Sequence, residues 1–248
     1  MEILQILRNH IVSNKPSFMC NDEIFSTILN NIEKQLITDL QGQNNELHYD
    51  QFIARCIDLE GLDGCGKSTL ANELQKQLNI RGQKSRLLST PPSELLPFRS
   101  YFDTQPESIR RAFYNLGNLI VSFELKNQQD TIIILDRYWP STIAYQQAKI
   151  IDNNQINISW PNYLVQPAVI VYIYVDEAER CRRITQRSVL IPVTVEEKQL
   201  AEQEAFRNRL DFIYRNHIPS SHLHVIDGNR ATNVIANDIL NLLSEQNL

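Results

Sequence analysis

Three of the chain's seven glycines, Gly61, Gly64 and Gly66, fall within six residues in the stretch EGLDGCGKSTLANEL. Glycine weakens regular structure, so a bend this rich in it needs positive φ angles or very close backbone approach. The spacing Gly61-x-x-x-x-Gly66-Lys67-Ser68, between an apolar run and a helical pattern, is that of a phosphate-binding loop. In such a loop successive backbone N–H groups point into one concavity and cradle phosphates. The positive end of the following helix adds to the attraction. The stretch Gly61, Leu62, Asp63, Gly64, Cys65, Gly66, Lys67, Ser68 and Thr69 is therefore expected to bind ATP, with Lys67 at the β- and γ-phosphates and Ser68 at Mg²⁺. A carboxylate that could share the metal, directly or through water, is Asp136 at the carboxyl end of TIIIL.

The elements that must position these groups alternate along the chain. Strands are expected at FIARCIDL, SRLLS, TIIIL (Thr131 to Leu135), AVIVYIYV (Ala168 to Val175) and HLHVI (His222 to Ile226). Helices are expected over about Lys67 to Leu78, Glu107 to Lys126 and Ser141 to Ile150, on either side of Arg187 to Val195, and at the end of the chain. Nearly all-apolar strands alternating with helices predict an α/β fold, a P-loop NTPase whose five-stranded parallel sheet is covered on both faces. Residues 1–50 stand apart from the domain at 51–248. Ile24, Phe25, Ile28, Leu29, Ile32, Leu36 and Leu40 follow a three-and-four spacing that predicts an amphipathic helix, and EILQILRNHIV shows similar spacing. This helical N-terminal extension is expected to carry no chemistry and to pack on the main domain or on a partner.

Bulk composition narrows the function. The 248 residues hold 42% apolar and 21% charged residues and a net charge of −5, an ordinary globular balance that argues against a nucleic-acid partner. Cys20, Cys56, Cys65 and Cys181 are scattered without a CxxC pair, which points to reduced thiols rather than a zinc or disulfide framework. No apolar run approaches membrane-spanning length, so no membrane partner is expected. The first 20 residues hold only Arg8 and Lys15 as basic groups and begin with Glu2, so a cytoplasmic location is expected, with a mitochondrial one as the alternative.

The order EGLDGCGKST, DRYWPSTIAYQ and EAFRNRLDFIYRN resembles the thymidylate kinase family of nucleoside monophosphate kinases. TPPSELLPFRSYFDTQPESIRRAFYNLGNLIVSFEL and WPNYLVQP look like its mitochondrial-type UMP–CMP kinase branch. The resemblance covers about residues 52–245. It implies transfer of the γ-phosphoryl of ATP to a pyrimidine nucleoside monophosphate (UMP, CMP, dUMP, dCMP or dTMP). It further implies a mobile lid at about 183–196 and a homodimer. By the same resemblance, Arg137 grips the acceptor phosphate with Arg99 as a second candidate, and Asp63 faces the acceptor sugar. Phe113 stacks on the acceptor base, Tyr145 and Gln146 line its pocket, and Asp227 to Arg230 form the adenine-side loop. Arg183 and Arg187, four apart and so on one helix face, match lid arginines that approach ATP.

Three departures matter. Gly64 stands where some relatives carry a loop arginine, and the lid reads RSVLIPV rather than RGxxDR. Gly117 stands where thymidylate kinases place the arginine that reads thymine, which leans the preference toward UMP, CMP and their deoxy forms. Two other readings stay open: a deoxynucleoside kinase, which needs a base to deprotonate a sugar hydroxyl, and a nucleotide-binding regulator without turnover.

Overall fold

A computed structural model describes residues 2–13, 22–42, 53–128, 130–150, 156, 158–188, 195–219 and 223–245. Five strands form one parallel sheet: β1 (Ile53–Glu60), β2 (Ser85–Ser89), β3 (Ile132–Asp136), β4 (Gln166–Tyr174) and β5 (Leu223–Asp227), in the order β2-β3-β1-β4-β5. β1 and β3 run side by side with Leu59 opposite Asp136, so the residues after both strands emerge at one edge. That edge, at the carboxyl ends of the strands, is where ligands bind in open α/β sheets.

The strands read as unbroken apolar runs because both faces are covered. Ile57, Leu59, Ile132 and Ile134 pack against α3 (Lys67–Ile80) and α10 (Thr232–Glu245). Cys56, Ile133 and Leu135 face the other way, toward α4 (Leu96–Asp103) and α5 (Glu107–Asn127). A third cluster joins Tyr172 to α6 (Trp139–Gln147), α8 (Val195–Glu202) and α9 (Glu204–Asn216). The helix α7 (Glu177–Arg187) follows β4.

The N-terminal extension forms two helices, α1 (Glu2–Ser13) and α2 (Asp22–Gly42). Their buried residues Leu4, Leu7, Ile11, Phe25, Leu29, Ile32 and Leu36 belong to the same core cluster as α4, α5 and one face of the sheet. Phe25 is fully buried, with its ring 4.8 Å from that of Phe98 and 5.3 Å from that of Phe102. Burying one such ring contributes about 1.5–3 kcal/mol. The extension therefore shares a core with the domain that the sequence set apart. Among the described residues no helix is long and apolar enough to cross a membrane. The middle of the expected lid, 189–194, lies outside the described residues.

Candidate active site

The glycine bend joins β1 to α3. Gly61, Gly64 and Gly66 all have positive φ, at 146°, 88° and 100°. A Cβ on Gly61 would lie 2.7 Å from both the Cys65 Sγ and the Ile173 carbonyl oxygen, so the loop tolerates no side chain there. A Cβ on Gly64 would lie 2.7 Å from Ile184 on α7. The absent side chain at position 64 is what lets α7 press down on the loop. Lys67 is only 6% exposed, and its Nζ donates to the carbonyls of Gly61 (3.0 Å) and Leu62 (3.2 Å). Ser68, at the start of α3, donates its hydroxyl to an Asp136 carboxylate oxygen at 2.5 Å. The two oxygens expected to share a metal are thus adjacent, and hard oxygen donors of this kind suit Mg²⁺.

Arg137 follows Asp136 and is the one non-glycine residue with positive φ (72°) among those described. Such a conformation costs on the order of 1–3 kcal/mol and persists only where the surroundings over-determine it. Here they do. Its backbone N–H donates to Leu59 O (3.1 Å) and its carbonyl accepts from Thr90 Oγ1 (2.9 Å). Its guanidinium donates to Ser141 Oγ (2.8 Å) and to Asp63 Oδ1 (2.5 Å). Behind it, Glu60 accepts hydrogen bonds from the backbone N–H groups of Tyr138 (2.9 Å) and Ser141 (3.2 Å), from the Ser141 hydroxyl and from the Tyr214 phenol (3.1 Å).

Electrostatics follow this geometry. Burial works against charge on Asp63, but Arg137 and Lys67 beside it outweigh burial and hold its carboxyl well below the usual range. Burial pushes Glu60 upward despite Arg137 and the Ser141 hydrogen bond. Asp58, fully buried on β1, has no hydrogen-bond partner on either carboxylate oxygen among the described residues. Burial raises it well above the ordinary carboxylate value, and the charges of Glu60 and Asp136 add to the effect.

Two of the cavities that touch the loop hold the expected site residues. One, of about 180 Å³, is lined by Asp63, Arg99, Arg137, Tyr145 and Gln146, so the structure gathers these expected acceptor-side residues. The other, of about 230 Å³, is lined by Gly66, Thr69, Arg183, Gly228 and Arg230 among others. Arg183 bridges it, donating to Cys65 O and Gly228 O, each at 2.9 Å, while Glu179 holds its Nε at 2.7 Å. Arg187 is not brought there: its guanidinium pairs with Glu197 of α8.

Phe113 also departs from expectation. It is fully buried and stacks on Phe102, with centroids 4.4 Å apart, so it belongs to the core and lines neither cavity. A helix turns about 100° per residue, which carries the next residue, Tyr114, to the cavity lined by Arg99 and Arg137 instead. Gly117 likewise faces the Pro91–Pro92 segment, where an added Cβ would lie 3.3 Å from Pro91 Cα and from Pro92 Cδ. Counted from Tyr114, the position four residues on is Asn118. The apolar pattern of α5 carried a signal for this, because Glu107, Arg111, Tyr114 and Asn118 recur at helical spacing as polar or amphipathic residues on one face.

Sequence reasoning also passed over Arg180. Its side chain is 1% exposed and lies over Gly64, where a Cβ would be 3.2 Å from its Cγ. It donates to Asp63 O (2.8 Å) and is held by two bonds to Glu177 (2.6 and 2.8 Å). It thus ties α7 to the phosphate loop.

Comparison with known proteins places these features in context. The thymidylate kinase family model matches residues 59–239. The chain is 32% identical over 196 residues to the human protein named UMP-CMP kinase 2, mitochondrial; the match covers 75% of this chain and 42% of that one. The chain thus spans well under half the length of that relative. It is 26% identical over 201 residues to the thymidylate kinase of Brachyspira hyodysenteriae, covering 78% of this chain and 95% of the relative. Among solved structures, Candida albicans thymidylate kinase superposes with a TM-score of 0.59 at 18% identity, over 79% of this chain and 93% of that one. Deoxyadenosine kinase from M. mycoides reaches 0.54 at 19% identity, over 76% and 98%. At such identities the likeness speaks for the fold alone.

Proposed function

Because the chain belongs to the thymidylate kinase family, we propose that it transfers the γ-phosphoryl of ATP to a pyrimidine nucleoside monophosphate. The observation that carries this reading is that one phosphate loop contributes to the walls of two cavities, Asp63 beside Arg137 in one and Gly66 and Thr69 beside Arg183 in the other. Two nucleotides seated there meet head to head at the loop.

The acceptor is itself a phosphate whose second pKa is about 6, so its attacking oxygen is already charged at pH 7 and needs no base. That oxygen bonds to the γ-phosphorus as the bond to the β–γ bridging oxygen breaks, and the electron pair leaves with ADP. The work left to the protein is alignment and neutralisation of charge. Arg137, its fork held open by Asp63 and Ser141, grips the acceptor phosphate, with Arg99 at the cavity wall. The loop N–H groups hold the donor phosphates, and Lys67 exchanges the Gly61 and Leu62 carbonyls for phosphate oxygens. Ser68 and Asp136, in contact at 2.5 Å, would hold Mg²⁺, which when bound would supply positive charge against that building on the donor phosphates. Arg183 carries positive charge from α7 to the donor side. Asp63, kept ionised, orients Arg137 and faces the acceptor sugar.

ADP release measured with CMP, UMP, dCMP, dUMP, dTMP, thymidine and deoxycytidine tests the reading. Turnover with monophosphates supports it. Turnover with nucleosides alone moves the assignment to a deoxynucleoside kinase, and tight ATP binding without turnover moves it to a regulator.

A further inference from the structure

Thr142 of α6 lines the acceptor cavity. Behind it lies Asn118 of α5, 1% exposed, whose Nδ2 donates to Thr142 Oγ1 at 2.9 Å. The other end of that amide, Oδ1, is buried and has no hydrogen-bond partner among the described residues. An unsatisfied buried polar atom costs about 1–3 kcal/mol and calls for an explanation.

Hydrogen-bond arithmetic supplies one. A hydroxyl has one hydrogen and two lone pairs, and an amide's oxygen and nitrogen occupy nearly interchangeable places. With Nδ2 toward Thr142, one hydroxyl lone pair is taken and the hydroxyl hydrogen is left to point into the cavity. It then suits a ligand atom that accepts, such as N3 of cytosine. If the amide turns end for end, Oδ1 takes the hydroxyl hydrogen and the Thr142 lone pairs face the cavity. They then suit a ligand N–H, such as N3–H of uracil. Either orientation leaves one far end of the amide without a partner, so the turn exchanges one orphan for another. An Asn118 bonded at both ends would be locked in one sense; this one is not.

We propose that Asn118, acting through the Thr142 hydroxyl, is a positioning residue that lets the acceptor pocket take both cytosine and uracil nucleotides. The inference rests on the kinase reading above and narrows it to the base. Tyr114, on the same face of α5 one turn away, supplies the ring beside the base.

The test is steady-state kinetics of the full chain with CMP, UMP and 3-deaza-CMP, in which N3 is replaced by carbon. Wild type is expected to use CMP and UMP with kcat/KM values within about tenfold, and to lose about 10- to 100-fold with 3-deaza-CMP. Thr142→Val should raise the acceptor KM for CMP and UMP by a similar factor, leave the ATP KM alone, and no longer distinguish CMP from 3-deaza-CMP. Asn118→Asp, nearly isosteric, places an ionised carboxylate that only accepts beside Thr142, so the hydroxyl hydrogen turns toward it and the hydroxyl lone pairs face the cavity. It should therefore tilt the CMP/UMP ratio about tenfold toward UMP, a tilt that a purely structural role would not produce. An unchanged ratio in folded Asn118→Asp, or 3-deaza-CMP used as well as CMP by wild type, overturns the inference while leaving the kinase reading in place. A wild-type chain that releases no ADP with any monophosphate overturns both.

Discussion

The two sides of the phosphate loop are built in different ways. The donor side is built around one continuous segment: residues 61–69 supply the cradle, and Ile173, three residues of α7 (Glu179, Arg182 and Arg183) and residues between Gly228 and Ile235 complete the cavity wall. The acceptor side is assembled from the loop, β2's exit, α4, α5, α6 and α9, with Asp63, Thr90, Arg99, Tyr114, Thr142 and Phe206 all at its wall. Behind α4 and α5 stand the N-terminal helices, through Phe25 on Phe98 and Phe102 and through a 2.9 Å hydrogen bond between His10 and Tyr101. A site made by one loop depends on local backbone conformation. A site made by several helices depends on how each is held, and its specificity can change when a distant helix moves.

The largest test of this contrast lies at the junction. Arg137→Ala is expected to lower kcat at least about 10³-fold, the scale of other arginines that neutralise a transferring phosphoryl. Arg187→Ala, whose guanidinium is engaged by Glu197, should cost less than about tenfold on the same scale. Equal losses in an ADP-release assay would show that the two guanidinium groups share one role.

Next is the brace. Phe25→Ala removes a fully buried ring and should lower unfolding free energy by about 3–5 kcal/mol in urea titrations. In the folded variant the acceptor KM should rise before the ATP KM does. A variant that loses stability but keeps both KM values would separate the extension from the acceptor side.

A smaller effect tests the aromatic register on α5. Tyr114→Ala should raise the acceptor KM about tenfold, the scale of one aromatic contact, with little change in melting temperature. Phe113→Ala should do the reverse. If Phe113→Ala instead weakens acceptor binding in a stable protein, the cavity wall has been assigned to the wrong ring.

The smallest effect concerns the sheet beneath. Asp58 is ionised in the unfolded chain above about pH 4, whereas the fold keeps it protonated well beyond that point. The folded state then holds the extra proton, so stability falls as pH rises from about 4 toward the folded pKa. Asp58→Asn removes this slope, so its gain over wild type should grow as pH rises above about 4. A gain independent of pH in melting curves would mean that Asp58 is charged in the fold.

Much of the architecture was legible from period and punctuation. All five strands and α3, α5, α6, α7, α8 and α10 lie where apolar runs and helical spacing put them, within a few residues. The phosphate loop was legible because its glycines, lysine and serine are neighbours in the chain and their geometry is a local property. Asp136 and Arg137 were legible because they end a strand. The failures share a cause. Phe113 and Tyr114 are adjacent and both aromatic, and only the packing of α5 between α4 and α6 decides which faces the cavity. Arg180 is one of several arginines on α7, and only the descent of that helix onto Gly64 singles it out.

The amino-acid order by itself determined the strands, the helices, the phosphate cradle and the residues that end β3, because these follow from neighbours along the chain and from period. Only the tertiary structure decided that the extension joins the main core, that Tyr114 rather than Phe113 meets the acceptor cavity, and that Asn118 and Thr142 touch across 24 residues of sequence. Those outcomes depend on the rotation and height of one helix against another. That placement is settled by packing of the whole core, which no short window of sequence contains.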